Sequence, residues 1–189
     1  MLGDRLRAVH PGRWPERPTW ICVVRLRDGA RVVLGRDDVP LPHLADAVEA
    51  SSAVPGLLTP VALGGTDYVD GGTHSTTNVD LVARLGFDLV VVVAPMTAVP
   101  SALRRRPDWG KLLHSRVLAA EVGEVRATGT TVLVVQPTAA DLAARHGDVL
   151  SSGQVGPVAE QAFASTVDRL RRPDAARAVA LLESARSAD

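Results

Sequence analysis

Apolar positions near the start of the 189-residue chain form short runs with the composition of β-strands. Runs of this kind joined by glycine-containing dipeptides are typical of hairpins, because glycine adopts positive φ without steric cost. The pattern predicts two hairpins: 19–24 with 30–34 across Asp28-Gly29, and 61–63 with 68–69 across Gly64-Gly65.

Two other runs, 89–94 and 131–135, are apolar and largely β-branched throughout. Because they lack the polar alternation of a half-exposed strand, they predict strands buried on both faces, as in a parallel sheet covered by helices. A helical stretch from about 112 to 127 lies between them. The three segments therefore predict a βαβ unit.

Further stretches carry apolar residues at helical spacing. They predict helices at 41–51, 79–85, 155–170 and 175–185, with Pro55-Gly56, Gly86 and Pro173 as stop signals and Ser151 and Ser152 as caps. The whole is expected to form one α/β domain. Its predicted parts are an irregular lead-in at 1–18, an α/β body at 19–150 and a helical tail at 151–189 packed on that body.

Charge and composition exclude several classes of protein. The 21 basic and 21 acidic residues balance to a net charge of zero, whereas nucleic-acid binders normally carry a basic excess. No apolar run approaches the roughly 18 residues of a transmembrane helix, and the first residues lack the apolar stretch of a signal peptide. The single cysteine, Cys22, lies in an apolar run and predicts a buried thiol. We therefore expect a cytoplasmic protein that does not bind nucleic acid.

The motifs of several enzyme classes are absent from the sequence. It contains neither a phosphate-binding loop nor a dinucleotide-binding glycine motif. Its five histidines do not fall at metal-ligand spacing with one another or with Cys22, so neither a metal nor another cofactor is expected. The Gly-x-Ser-x-Gly elbow of serine hydrolases is also missing.

The segment Tyr68-Val69-Asp70-Gly71-Gly72 carries the strongest signal for chemistry. An aspartate at the end of a short strand lies where α/β folds tend to mount catalytic groups. The two glycines allow a sharp turn and a close approach of the backbone. The alternative is an ordinary turn in which Asp70 binds its own backbone, and this segment taken alone favours the turn.

Three segments occur in one order along the chain. They are Ala50-Ser51-Ser52-Ala53-Val54-Pro55-Gly56-Leu57-Leu58-Thr59-Pro60-Val61, then Tyr68-Val69-Asp70-Gly71-Gly72, then Asn78, with the apolar run 89–94 behind them. In this order and spacing they resemble the patatin-like phospholipases, over about residues 19–136. The resemblance implies a three-layer α/β fold with a largely parallel central sheet flanked by helices.

The same resemblance implies a lipid acyl hydrolase with a Ser–Asp dyad. Asp70 matches the aspartate that takes the serine proton, Gly71 and Gly72 shape its turn, and Asn78 is a supporting residue. On this basis Asp70 is expected at a sheet edge that faces a cleft. The implied substrate is a lipid or another acyl ester, and the family mechanism needs no cofactor.

Two departures from the family pattern stand out. Asn78 is followed by Val79-Asp80, where the family often has Asn-x-Pro. The nucleophile elbow and the glycine-rich oxyanion loop, which in the family precede the matched segments, are both missing. Ser75 lies near His74 and Asp70, but neighbours on one loop rarely aim at one another as a triad does.

These departures lead to an expectation and to two alternatives. We expect the chain to be the C-terminal part of a patatin-like domain, truncated at its N-terminus and inactive by the family mechanism as it stands. The alternatives are a non-catalytic binding or scaffold module of the same fold and, more remotely, an unrelated α/β ligand-binding protein. Arg104, Arg105 and Arg106 suggest a transient membrane-surface contact, but a run this short favours a solvated loop.

Overall fold

A computed structural model describes residues 7–8, 14–105, 107–145 and 155–187. The chain divides into two compact units, residues 1–76 and 77–189. Most of 1–13 and all of 146–154 lie outside the described residues, and so do the predicted caps Ser151 and Ser152. The predicted boundaries after residues 18 and 150 therefore stay predictions.

Between residues 14 and 76, the first unit contains a four-stranded sheet and one α-helix. The strands are β1 (Ile21–Arg25), β2 (Arg31–Leu34), β3 (Val61–Leu63) and β4 (Thr66–Asp70), and the helix is α1 (Leu44–Ser51). The strand order is β2-β1-β4-β3, and every neighbouring pair is antiparallel. Both predicted hairpins are confirmed.

Turn chemistry explains the hairpins. Gly29 has a φ of 69°, and the Asp28 carboxylate beside it accepts a hydrogen bond of 3.0 Å from Arg25 Nε. In the second hairpin Gly64 and Gly65 have φ of 57° and 78°, and positive φ at both central residues is what a two-residue type I′ turn requires. Each turn thus sets the register of its strand pair.

The core of this unit lies between the sheet and α1. It contains buried residues from three strands and the helix: Val23, Val32, Leu34, Ala47, Ala50 and Tyr68. The helix begins at Leu44, three residues later than predicted, because His43 caps it by accepting a hydrogen bond from Ala45 N at 3.2 Å. Leu41, the first residue of the predicted stripe, is 54% exposed.

The second unit is built around two parallel strands. The strands are β5 (Leu89–Val93) and β6 (Thr131–Val135), and the helices are α2 (Pro100–Arg105), α3 (Trp109–Ala127), α4 (Ala139–Ala144), α5 (Val155–Leu170) and α6 (Ala176–Arg186). The strands pair in register from Leu89 opposite Thr131, which confirms the predicted βαβ unit. The long crossover helix begins at Trp109 because Asp108 Oδ1 accepts a hydrogen bond of 2.9 Å from Lys111 N.

Helices pack on both faces of this parallel pair. On one face Val92 and Val132 belong to a cluster with α3 residues. On the other face Leu133 packs with Ala175 and Ala178. The second unit therefore has three layers, with the sheet in the middle.

The prediction that β5 is buried on both faces is wrong. Val91 is 47% exposed and Val93 is 70% exposed, whereas Val92 between them is buried. Residues 89, 91 and 93 share one face of the strand. The cluster formed by α6 reaches Leu89 on that face and does not include the two exposed valines.

Two arginines cover the outer edge of β6. Arg126 Nη2 donates to the carbonyl of Val132 at 3.2 Å, and Arg169 Nε donates to that of Val134 at 3.1 Å. These carbonyls belong to the residues that alternate with those bonded to β5, so they would otherwise face outwards. An edge occupied in this way cannot easily accept a further strand.

The expected largely parallel sheet holds only for β5 and β6, since the first unit is antiparallel throughout. Two local predictions also change. The segment predicted as a helix at 79–85 forms a 3₁₀ helix at Val79–Val82. The prediction of a solvated loop is wrong for Arg104 and Arg105, which lie on α2, and Arg106 lies outside the described residues.

Asp37, in the turn that follows β2, makes the free energy of unfolding depend on pH in the acidic range. Its Oδ2 accepts a hydrogen bond from Val33 N at 2.8 Å, and Oδ1 pairs with Arg36 Nη2 at 2.7 Å. Burial raises the pKa of Asp37, but the backbone hydrogen bond and the guanidinium outweigh it, so the pKa lies below its ordinary value. The stabilisation is present above the unfolded pKa of about 3.9 and is lost as pH falls through the folded value.

We expect Asp37→Asn to lower the free energy of unfolding at pH 7 by about 1 kcal/mol and to flatten its decline below about pH 4. Urea denaturation at several pH values, followed by tryptophan fluorescence, measures both effects. Asp38→Asn is the control, because the neighbouring Asp38 is exposed. An equally steep acid loss in the Asp37 and Asp38 variants would contradict the assignment.

Candidate functional site

Asp70 is the last residue of β4, at the carboxyl end of a strand that lies between β1 and β3. Its backbone is fixed from two sides. It pairs with Val23 of β1, and its N–H donates to the carbonyl of Ala53, just beyond α1, at 3.0 Å. The residue therefore ends an internal strand of the sheet, on a backbone held by both neighbouring elements.

The Asp70 carboxylate is half-buried and oriented by its own turn. Oδ1 accepts a short hydrogen bond of 2.6 Å from Gly72 N, so Asp70 caps the 3₁₀ helix Gly71–Thr73. Among the residues that the structure describes, no hydrogen bond engages Oδ2. The alternative interpretation, a turn in which Asp70 binds the backbone of its own loop, thus describes the local geometry correctly. It also leaves one oxygen of an oriented carboxylate available for a proton.

Gly71 is required by the close approach of two backbone segments. A Cβ at this position would lie 2.2 Å from the carbonyl oxygen of Cys22 and 2.6 Å from its carbonyl carbon. Gly72 is less restricted, because its Cβ would lie 3.0 Å from Asp70 Oδ1, an atom at the end of a side chain. The first glycine therefore fixes the loop against β1, and the second leaves room for the carboxylate.

We expect Gly71→Ala to lower the free energy of unfolding of the first unit by about 3 kcal/mol, because neither backbone atom of Cys22 can move without breaking β1 pairing. Gly72→Ala should cost about 1 kcal/mol, since only a side chain must shift. Denaturation followed through Trp14 and Trp20, which both lie in this unit, measures the two values. Equal costs would contradict the role given to Gly71.

Asn78, the supporting residue of the motif, belongs to the second unit. Its φ of 52° and ψ of 33° are left-handed, and it is the one non-glycine residue with positive φ in the described ranges. Asparagine tolerates this conformation better than most residues. Of the predicted site residues, the structure thus brings Asp70, Gly71 and Gly72 into one turn and places Asn78 at a strained position ahead of the 3₁₀ helix.

Glu121 holds the segment around Asn78, and the sequence analysis missed it. The side chain of this α3 residue is buried, with 7% of the residue exposed. Its Oε2 accepts hydrogen bonds from Thr77 Oγ1 at 2.7 Å and from Val79 N at 3.1 Å. A glutamate within the otherwise apolar buried stripe of α3 is the signal that could have indicated it.

Removal of the Glu121 carboxylate leaves the buried N–H of Val79 without its acceptor. We therefore expect Glu121→Ala to lower the free energy of unfolding of the second unit by about 2 kcal/mol, and Glu121→Gln by less, since the amide keeps one acceptor oxygen. Glu124→Ala, at an exposed position of the same helix, is the control and should stay within about 0.5 kcal/mol. Thermal unfolding followed by circular dichroism distinguishes the three variants; equal losses at both positions would contradict the role of Glu121.

Other candidate chemistry is limited. Ser75 is only 4% exposed, so its hydroxyl is poorly accessible to an ester. Cys22 is half-buried in β1, less than the sequence predicted. In the described parts of the chain, no three histidine, cysteine or acidic side chains cluster as metal ligands would. None of the helices in those parts combines the length and the hydrophobicity that crossing a bilayer demands.

The fold and the site together define the class of the protein: an α/β protein with an Asp-Gly-Gly turn at the end of a strand. Residues 19–83 match the model of the patatin-like phospholipase family. This range includes all three motif segments, from Ala50 to Asn78. The resemblance to this family that the motifs indicate is therefore confirmed over this segment.

One curated relative is the uncharacterized protein YjjU of Escherichia coli (strain K12). It is 39% identical to this chain over 70 residues. The aligned part covers 36% of this chain and 19% of the relative, so the match spans about a fifth of the relative's length.

Proposed function

We propose that Asp70 is the general base of a Ser–Asp dyad in a lipid acyl hydrolase. One observation carries the proposal: Oδ1 of Asp70 is held by Gly72 N at 2.6 Å, which orients the carboxylate and leaves Oδ2 for the proton of a hydroxyl group. The match of residues 19–83 to the patatin-like phospholipases supports an acyl ester of a lipid as substrate.

In the proposed reaction, Oδ2 accepts the serine proton while the serine oxygen bonds to the ester carbonyl carbon. The protonated Asp70 then gives that proton to the departing alkoxide as the carbon–oxygen bond of the ester breaks. Water hydrolyses the acyl-serine in the second half by the same proton route, which returns the serine hydroxyl and releases the carboxylic acid. A carboxylate is a much weaker base than an alkoxide, so donors to the oxyanion have to supply much of the stabilisation.

We propose that the nucleophilic serine and the oxyanion donors lie outside the 189 residues. The sequence contains no Gly-x-Ser-x-Gly segment, and the match spans only 19% of the related protein. The 189-residue chain by itself is then an inactive portion of a patatin-like domain. The single cysteine supports a reducing, cytoplasmic setting for the whole. A non-catalytic module of the same fold is the competing proposal, and the experiment below separates the two.

The experiment compares the 189-residue chain with a protein extended through the upstream reading frame. We expect an elbow serine in the extension, labelling of that serine by a fluorophosphonate, and turnover of a short-chain nitrophenyl ester. The unextended chain should show neither labelling nor turnover. An upstream frame without an elbow, or an extension that neither labels nor turns over, would favour the non-catalytic module.

In the extended protein, Asp70→Asn should reduce kcat by about 10³-fold, because an amide cannot accept the serine proton. Asp67→Asn is the matched control, since Asp67 is an exposed aspartate on the same strand, and it should leave kcat unchanged. Circular dichroism verifies that both variants fold. Turnover that survives Asp70→Asn would remove Asp70 from the mechanism.

A further inference from the structure

An apolar cavity of about 520 Å³ lies beside the N-terminal part of α3. Its apolar lining comes from the segment after β5, from α2, from the connection before α3 and from α3 itself: Ala98, Leu103, Pro107, Trp109, Leu112 and Ala119. Gln136, the first residue after β6, also lines it. The cavity therefore opens beyond the carboxyl ends of two parallel strands, where ligands of α/β folds bind, and its volume is in the range of roughly 300–1,000 Å³ typical of ligand sites.

A basic cavity of about 300 Å³ adjoins it. Three guanidinium groups line this second cavity, those of Arg126, Arg169 and Arg172, and none of its described lining residues is acidic. Two of these arginines are partly engaged, since Arg126 and Arg169 donate to β6 carbonyls and Arg169 also pairs with Asp174 at 3.1 Å. Arg172 takes part in none of the ion pairs formed among described residues.

The two cavities share three lining residues, Ser115, Ala119 and Gln136. An apolar volume and a cationic volume thus meet along one side of α3. Burial of an alkyl chain favours binding in proportion to the area removed from water, and guanidinium groups bind phosphate and carboxylate through charge-assisted hydrogen bonds. The combination matches a ligand with one alkyl chain and one anionic head.

We propose that the adjoining apolar and basic cavities form a binding site for a single-chain anionic amphiphile. The alkyl chain lies in the apolar cavity, and the head contacts Arg172 in the basic cavity. Every lining residue belongs to the second unit, whereas Asp70 belongs to the first. This binding site therefore shares no residue with the Asp70 turn.

The apolar cavity also has charged residues in its lining. Arg104, Arg116 and Asp108 line it, and the Asp108 carboxylate is occupied as the cap of α3. A head group bound by Arg104 in place of Arg172 would reverse the orientation of the ligand, so the test includes both arginines.

Isothermal titration of the full chain with dodecyl phosphate, below its micelle concentration, tests the proposal. We expect one molecule bound per chain, with octyl phosphate binding at least about tenfold more weakly because less apolar surface is buried. Dodecyltrimethylammonium, which has the same chain and the opposite charge, should also bind at least about tenfold more weakly. Equal affinity for the two head charges, binding of inorganic phosphate as tight as that of dodecyl phosphate, or binding only to anionic vesicles would overturn the proposal.

Matched variants locate the two ends of the ligand. Arg172→Gln should weaken dodecyl phosphate binding about tenfold, whereas Arg171→Gln, at the exposed neighbouring position, should not change it. Ala119→Phe should weaken binding about tenfold by filling the shared wall, whereas Ala120→Phe, one residue on and also exposed, should not. Loss of affinity in Arg104→Gln without loss in Arg172→Gln would overturn the assignment of the head group.

A second measurement uses Trp109, which lines the apolar cavity and is 82% exposed. A bromine-labelled fatty acid should quench its fluorescence, and Trp109→Phe should abolish that quenching while dodecyl phosphate still binds in the calorimeter. Quenching that persists without Trp109 would contradict the position of the alkyl chain. Asp70→Asn should leave dodecyl phosphate binding unchanged, so failure of this proposal and failure of the hydrolase proposal give different results.

Discussion

The contact between Gly71 and the backbone of Cys22 is the constraint on which the candidate site depends. A Cβ on Gly71 would lie 2.2 Å from the Cys22 carbonyl oxygen, so the loop after β4 can pack on β1 only without a side chain there. This packing places Gly72 N within 2.6 Å of Asp70 Oδ1 and so determines which oxygen of the carboxylate stays available. The orientation of one acidic group thus follows from a steric rule that acts one residue away.

In the second unit, hydrogen bonds fix the backbone around Asn78, as close packing fixes the loop after β4 in the first. Asn78 holds a left-handed backbone that most residues avoid, and the segments on either side of it are fastened to the buried carboxylate of Glu121. Strained conformations persist where the surroundings determine them more than once. Both parts of the motif therefore owe their geometry to a partner distant in sequence: Cys22 for the glycine turn and Glu121 for the asparagine.

Local features of this protein could be predicted from its sequence, and distant ones could not. Asp28-Gly29 and Gly64-Gly65 predict their hairpins because turn chemistry is local, and the motif around Asp70 predicted the family match of residues 19–83 for the same reason. The pairing of β1 with β4 left no local signal, so the antiparallel sheet was not foreseen. Helix α2 was not predicted, although its first residue, Pro100, suits the first turn of a helix. Glu121 was missed because its partners lie more than forty residues earlier.

The arginines that bind the β6 carbonyls determine at which edge of the parallel pair another strand can add. Guanidinium groups already bind the carbonyl oxygens of Val132 and Val134, so a strand that approaches β6 from that side cannot easily donate to them. The other edge of β5 has no described strand beside it. A strand that joins this parallel pair, from the same polypeptide or from another, therefore has to add beside β5.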